Sequence, residues 1–410
     1  MSPFRVGAIA ITGTALLLTG VLVVRNAQRA SRTIPSLASA PLAVIPVAYD
    51  ASTVRDADIT FYAQRAAQDQ TGAADRATLA ALLFARARQT GSAADLDRAE
   101  QLARRSTALR SARNGQAHEL LASILMARHA FRDARRVMQR ADSLAPETPS
   151  HLALLGEIEL ELGEYAAAES HFKAIRFDGE QFTIGARLAR WYELTGRVAI
   201  ARQFLRRAIS RVDKRDDLPR EQAAWFHYRL GELELRVGQY AAADTAFRRS
   251  LEVNPQDVRA LGGLTRVALA RHQWNDAITY GSEATSVQLD PSTIGAMSLA
   301  FAALGDSAQA SSFARAMAVS ALKQPGAIHR GWGLFLLDHG TEADRREVLR
   351  RARRELVDRQ DVYGHDLLAW ALYMNGQLPE AQEHMTVALA QHTEDALLAS
   401  HARAITRRAP

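Results

Sequence analysis

The sequence predicts an all-α protein, a right-handed superhelical solenoid of about nine helix-turn-helix repeats preceded by one amino-terminal apolar helix. Three observations lead to this prediction. From about Asp56 onward apolar residues follow helical spacing, and no segment alternates apolar and polar residues as a half-buried strand does. A pattern of small and aromatic residues returns at intervals of about 33 to 36 residues. An uncharged stretch near the amino terminus is long enough to cross a bilayer.

The composition excludes several classes of protein. With 410 residues, 48% of them apolar and 23% charged, the chain matches an ordinary folded protein and not a disordered one. It contains no cysteine, which excludes disulfides, thiolate zinc sites, iron–sulfur clusters and a cysteine nucleophile. Lys and Arg number 51 against 45 Asp and Glu, and the two signs are interspersed, so we expect no nucleic-acid partner.

The amino-terminal element is the uncharged run Val6–Val24, which as a helix would extend roughly 28 Å. We predict that residues 1–29 form a transmembrane anchor or signal segment and that the Ala-, Ser- and Pro-rich residues 30–55 form a tether. A single-pass anchor in a bacterial membrane is favoured, with the side of the repeat domain open. The alternative is a leader cleaved after the small residues 38–40, which would leave a periplasmic or secreted protein.

The repeated unit is clearest in two segments. The first contains Leu155, Gly156, Gly163, Tyr165, Ala168 and Phe172. The second repeats those spacings with Leu230, Gly231, Gly238, Tyr240, Ala243 and Phe247. This arrangement resembles the tetratricopeptide repeat, in which small residues let two antiparallel helices approach closely. Such a helix pair cannot bury its apolar stripe alone, so the resemblance implies a core made by stacking successive pairs.

Further copies extend the pattern over most of the chain, and the last of them, at Leu368, is strong. They are centred on Leu121, Leu188, Leu264, Phe301, Trp332 and Leu368, with a degenerate unit over Thr78–Leu109. We therefore predict a capping helix over 56–76, the repeats over 77–394, and a carboxy-terminal capping helix over 395–410 whose apolar residues are Leu397, Leu398 and Ile405. The charged run 211–219 is predicted to be a loop between repeats. Turn glycines are expected in left-handed conformation at Gly163, Gly196, Gly238, Gly305, Gly340 and Gly376.

The resemblance implies a non-enzymatic scaffold or adaptor for protein–protein interaction, which binds peptide or helical segments in the concave groove formed by the first helices. The candidate groove positions are Glu119, Glu157, Arg190, Tyr228, Glu232, Arg266, Arg330, Asp366, Trp370 and Tyr373. Three charge pairs on adjacent first helices are expected to form ladders: Glu157 with Arg190, Glu232 with Arg266, and Arg330 with Asp366. A soluble binding module and a regulatory subunit of an enzyme complex remain alternatives.

No catalytic, cofactor-binding or metal-binding motif stands out, and we expect neither enzymatic activity nor a cofactor or metal. The chain lacks HExxH, GxSxG and GxxxxGK[ST] patterns. The neighbouring His365 and Asp366 suggest either an acid–base pair or, as we favour, a surface histidine on the last repeat. The densest charge feature comprises Arg345, Arg346, Arg350, Arg351, Arg353 and Arg354. It suggests either contact with an anionic partner or lipid headgroups, or a solvated face neutralised by nearby carboxylates.

Overall fold

The structure is a computed structural model that describes residues 51–176, 181–324 and 328–407. The predicted span Val6–Val24 lies outside the described residues, as does most of the predicted tether. Within the described residues the regular secondary structure is helical and comprises twenty helices. The predicted all-α repeat array is confirmed.

In the described ranges the helices form nine consecutive pairs, with one further helix before the first pair and one after the last. Helix α1 (Ala51–Gln68) begins inside the predicted tether, and α20 (Ala396–Arg407) ends the array. The pairs are α2/α3 (Ala73–Thr90, Ala93–Leu109), α4/α5 (Gly115–Ala127, Phe131–Leu144), α6/α7 (Pro149–Glu161, Tyr165–Ala174), α8/α9 (Phe182–Leu194, Val198–Val212), α10/α11 (Arg220–Arg236, Tyr240–Val253), α12/α13 (Val258–Ala270, Trp274–Val287), α14/α15 (Pro291–Ala303, Ser307–Lys323), α16/α17 (Arg330–His339, Glu342–Glu355) and α18/α19 (Val362–Met374, Leu378–Leu389).

Within a pair, the small residue of the first helix makes room for an aromatic ring of the second. A Cβ atom added to Gly156 would lie 2.8 Å from the ring of Phe172, and one added to Gly231 would lie 2.5 Å from the ring of Phe247. Alanines at the contact positions, Ala168, Ala243 and Ala381 among them, are fully buried. The small-residue pattern therefore marks close helix contacts, as the repeat predicted.

The turns within pairs follow the prediction with one exception. Gly163, Gly196, Gly238, Gly305 and Gly376 have positive φ. Gly340 was expected to join them, but its φ of −82° and ψ of 175° are those of extended backbone. There α17 begins with a capping box in which Thr341 and Asp344 bond each other's backbone N–H groups, so the chain enters the helix from extended backbone without a left-handed residue.

The ends of the array behave as expected with one change. Helix α9 ends at Val212 and α10 begins at Arg220, so the charged run between them is a loop as predicted. On α20, Leu398 and Ile405 are buried as a capping helix requires. Leu397 was expected beside them, but it is 44% exposed, because its neighbour Leu398 takes the inward position.

Late loops of the array contact early turns, so the array closes on itself along a line that we call the seam. On the early side the seam comprises His129, Glu161, Tyr165 and Leu194, and on the late side Glu355, Arg359, Gln360, Val362 and Thr393. The Gln360 N–H donates to the Glu161 carbonyl at 3.0 Å, and the Val362 N–H donates to the Tyr165 hydroxyl at 2.9 Å. A Cβ on Gly163 would meet the Gln360 carbonyl oxygen at 2.3 Å, so glycine there permits both the turn and the seam.

Candidate partner-binding surfaces

The ten predicted groove positions lie on or beside the first helices, and the structure encloses half of them. The buried ones, with 0 to 6% exposure, are Glu119, Glu157, Arg190, Glu232 and Asp366. The half-buried ones are Tyr228, Arg266, Arg330, Trp370 and Tyr373. We call the surface formed by these ten positions and by the side chains that pack among them the inner wall; those side chains are Arg187, Glu193, Arg229, Arg236 and Tyr363.

Two of the three predicted charge ladders are present. Arg266 donates to both carboxylate oxygens of Glu232, and the Arg330 Nε atom lies 3.0 Å from Asp366 Oδ2. The third differs from the prediction, since the Arg187 Nε atom donates to Glu157 at 2.9 Å. Arg187 precedes the expected partner by three residues, which is nearly one helical turn, and both positions of α8 lie on one face.

A carboxylate that the sequence analysis missed, Glu193, gathers three arginines of the inner wall. It accepts a hydrogen bond from Arg229 at 2.9 Å, pairs with Arg236, and lies 3.5 Å from Arg190. Burial alone would raise the pKa of Glu193, but the positive charges of the three arginines lower that pKa to about 2. Its position three residues after Arg190, on the same face of α8, is the only signal that the sequence offers.

Tyr363 lies at the centre of three further arginine contacts. The guanidinium carbons of Arg330, Arg190 and Arg236 lie 4.6, 5.3 and 5.4 Å from the centre of its ring. The side chain is buried, and its hydroxyl has no hydrogen-bond partner among the residues that the structure describes. This cation–π cluster joins α8, α10, α16 and α18, which are far apart in sequence, so the ring holds the inner wall together.

The aromatic positions of the inner wall also have partners within the chain. Trp370 stacks on His401 of α20 with ring centres 4.3 Å apart and on Tyr373 at 5.1 Å. The Trp370 indole N–H donates to Asp338 at 2.7 Å. Tyr228 packs against Phe247 with centres 5.9 Å apart.

The remaining groove position, Glu119, is likewise engaged. It accepts a hydrogen bond from the Ser150 hydroxyl at 2.8 Å and lies 3.2 Å from the ring nitrogen Nε2 of His151. All ten positions therefore make contacts within the chain, and five of them are enclosed.

His365 has a partner other than its sequence neighbour Asp366. His365 is not paired with Asp366, which bonds to His401 at 2.7 Å and to Arg330. His365 instead faces His384, with the two Nδ1 atoms 3.0 Å apart, and burial together with the charge of His384 lowers the pKa of His365 to about 4. Across the three described ranges, no group of three His, Asp or Glu side chains is placed to hold a metal ion.

One outer surface has a different character. A cleft of about 640 Å³ lies between α17 and the turn that joins α18 to α19. Its lining comprises Glu342, Arg345, Arg346, Leu349, Arg350, Arg353, Met374, Asn375 and Gln377. We call it the α17 cleft.

In the part of the chain that the structure describes, no helix has the length and apolar character needed to cross a bilayer.

Comparison with known proteins agrees with this architecture. The tetratricopeptide repeat family model matches residues 120–181 and 228–292. The first match begins within α4 and ends beyond α7, and the second begins within α10 and ends beyond α13. The match and the fold together support a tetratricopeptide-type repeat protein. No curated protein matches the sequence.

Several solved structures share the fold at low sequence identity. The crystal structure of the APC/C hetero-tetramer Cut9-Hcn1 aligns with a TM-score of 0.50 at 14% identity and covers 86% of this chain. This chain spans 59% of the length of that one. The human IFIT1 dimer with PPP-AAAA aligns with a TM-score of 0.51 at 15% identity, covering 82% of this chain and 78% of the other. These similarities establish the fold alone.

Proposed function

We propose that this chain is a non-enzymatic adaptor whose helical array binds a protein partner. The observation that carries the proposal is the array itself, since the nine stacked helix pairs of the described ranges, which are of tetratricopeptide type, form one continuous surface. The fold of such an array implies a protein–protein interaction module. Where on the array the partner binds, and what kind of partner it is, are proposed in turn below.

The inner wall is the less favourable place for that partner. Peptide docking in the concave groove stays a prediction, but an incoming peptide would have to replace contacts such as Arg330 with Asp366 and Trp370 with His401. Separating buried charges from their partners costs several kcal/mol. We therefore place the partner on the outer surface of the array.

A nucleic-acid ligand is not part of the proposal. The similar IFIT1 structure contains PPP-AAAA. In this chain, however, the arginines of the inner wall face carboxylates, as Glu193 and Glu232 show. These arginines already have carboxylate partners, which phosphates would have to displace.

The membrane tether through Val6–Val24 belongs to the proposal and is supported by the uncharged length of that segment. Mass spectrometry of the mature amino terminus tests it. An intact amino terminus in the membrane fraction supports the anchor. A mature chain that starts near Pro41 contradicts it and supports the exported, soluble form.

Site-specific photo-crosslinking in cells tests the adaptor function. The photoreactive amino acid benzoylphenylalanine would replace Gln377 at the α17 cleft, Val319 on the exposed side of α15, or Tyr228 on the inner wall. We expect intermolecular protein crosslinks from at least one outer position and fewer from Tyr228. If none of the three positions yields a crosslink to another protein, the adaptor function is contradicted.

A further inference from the structure

The arginine cluster of α17 divides into three kinds of side chain. Arg351 is buried and donates to the carbonyls of Leu322 at 2.8 Å and Gln324 at 2.7 Å, so it caps the end of α15. Arg354 is exposed and lies outside the cleft. The other four arginines of the cluster line the α17 cleft.

The cleft has a fixed frame. The Arg345 Nε atom donates to the Leu337 carbonyl at 2.8 Å, which anchors the side chain at the end of α16. The Asn375 side-chain amide donates to the Arg345 carbonyl at 3.2 Å and ties the turn after α18 to α17. Leu349, which is 9% exposed, and the half-buried Met374 give the cleft an apolar part.

The side chains of the lining carry more positive than negative charge. They include four arginines, which are Arg345, Arg346, Arg350 and Arg353, and a single carboxylate, which is Glu342. Carboxylates beside the lining hold two of these arginines, with Glu347 2.7 Å from Arg350 and Glu380 2.6 Å from Arg353. These pairs are exposed, and exposed ion pairs contribute at most about 1 kcal/mol, so carboxylates of a ligand can replace them.

We infer that the α17 cleft docks an acidic segment of a protein partner that also carries apolar side chains. Its carboxylates would pair with Arg345, Arg350 and Arg353, and an apolar side chain would cover Leu349 and Met374. Guanidinium groups bind carboxylates through two parallel hydrogen bonds, which suits four arginines around one cleft. This inference rests on the proposed adaptor function and names the surface and the chemistry of its partner.

A protein segment fits this site better than a lipid surface does. The arginines surround a cleft whose lining also contains apolar residues. An extended peptide can enter such a cleft and place both charged and apolar side chains against it. A bilayer surface is flat on this scale and is attracted by basic side chains that project from a convex face.

Fluorescence anisotropy with the purified full-length chain tests the inference. The probe is a fluorescein-labelled peptide that repeats the triplet Glu-Glu-Leu, and its control is the same peptide with Lys in place of Glu. We expect saturable binding of the acidic peptide alone, weakened at least fivefold between 50 and 500 mM salt because the contacts are ionic.

A matched pair of variants tests the position of the site. Arg350→Glu and Arg354→Glu make the same charge change at two exposed positions of α17, and only Arg350 lines the cleft. We expect Arg350→Glu to weaken peptide binding about tenfold and Arg354→Glu to change it less than twofold. Circular dichroism on both variants checks that each is folded, and Arg346→Gln provides a milder second variant, for which we expect about threefold weaker binding.

Several results would overturn the inference. If the Arg350→Glu and Arg354→Glu variants lost peptide affinity equally, the peptide would be bound by unspecific charge attraction and not by the cleft. Binding to phosphatidylserine vesicles without binding to the peptide would indicate a lipid surface, and competition by millimolar inorganic phosphate would indicate a simple anion site. Persistent protein crosslinks from Val319 despite any of these results would leave the adaptor function standing, so the two failures are distinguishable.

Discussion

The inner wall and the α17 cleft use arginine in opposite ways. On the inner wall Arg190 is 6% and Arg229 5% exposed, and Glu193 lies against both. At the cleft the side chains of Arg346 and Arg350 are 62% and 52% exposed, and each pairs with a carboxylate on its own helix. Since enclosed charges depend on their partners whereas exposed ones exchange them easily, the same residue type is structural in one region and available for binding in the other.

The largest expected effect is the loss of Glu193. Glu193→Gln removes the negative charge and leaves Arg190, Arg229 and Arg236 enclosed without it. We expect the free energy of unfolding to fall by about 3–5 kcal/mol, measured by urea denaturation. Glu252→Gln, which breaks the exposed pair with Arg249, is the control and should cost less than about 1 kcal/mol. Similar losses in both variants would contradict the contrast between the two regions.

Acid should weaken the inner wall through the same carboxylate. The pKa of Glu193 in the folded protein is about 2, below its ordinary value of 4.5, so the folded state binds this proton less readily than the unfolded state. The resulting stability is present above pH 4.5 and is lost as the pH falls towards 2, in total about 3 kcal/mol. Urea denaturation across this pH range should show that the free energy of unfolding falls in the native protein and falls less in Glu193→Gln. If the free energy of unfolding fell equally with pH in both proteins, Glu193 would not be the source of the acid sensitivity.

Substitutions of Tyr363 separate its ring from its hydroxyl. Because three guanidinium groups contact the ring, Tyr363→Leu should cost about 2 kcal/mol of unfolding free energy. Tyr363→Phe removes a hydroxyl that has no hydrogen-bond partner, so we expect a change below about 0.5 kcal/mol. A costly Tyr363→Phe variant would mean that the hydroxyl has a role that the cation–π account omits.

The smallest expected effect lies at the cleft. Arg350→Gln breaks an exposed pair with Glu347 and should change the free energy of unfolding by less than about 0.5 kcal/mol. The melting temperature, followed by circular dichroism, should therefore stay nearly the same as that of the native protein. A large loss of stability would place Arg350 among the structural arginines and weaken the case for a binding surface.

The sequence predicted the helix pairs well because their contacts are local and repeat. The spacing from Gly231 to Phe247 encodes a contact inside one pair, and the same frame recurs along the chain. The exception at Gly340 arises because a capping box at Thr341 provides another way to start a helix, and a glycine alone does not distinguish the two turns.

The seam and the details of the inner wall were beyond sequence reasoning. His129 contacts Glu355 across 226 residues, and no periodic pattern links two such positions. The choice of Arg187 over Arg190 as partner of Glu157 depends on side-chain placement within one helix face. The split of the α17 arginines into capping, exposed and cleft-lining groups likewise requires coordinates, because all six are close neighbours in the sequence.

The contrast between enclosed arginines on the inner wall and exposed arginines at the α17 cleft is tested most directly by chemical labelling. The native full-length chain is treated with phenylglyoxal, and mass spectrometry identifies the modified arginines. The reagent modifies guanidinium groups that solvent reaches, so each arginine reports its own enclosure. We predict rapid modification of Arg346, Arg350 and Arg354 and protection of Arg187, Arg190 and Arg229 until the chain is unfolded. Equal labelling rates in the two sets would contradict the account, since the inner wall would then be as open as the α17 cleft.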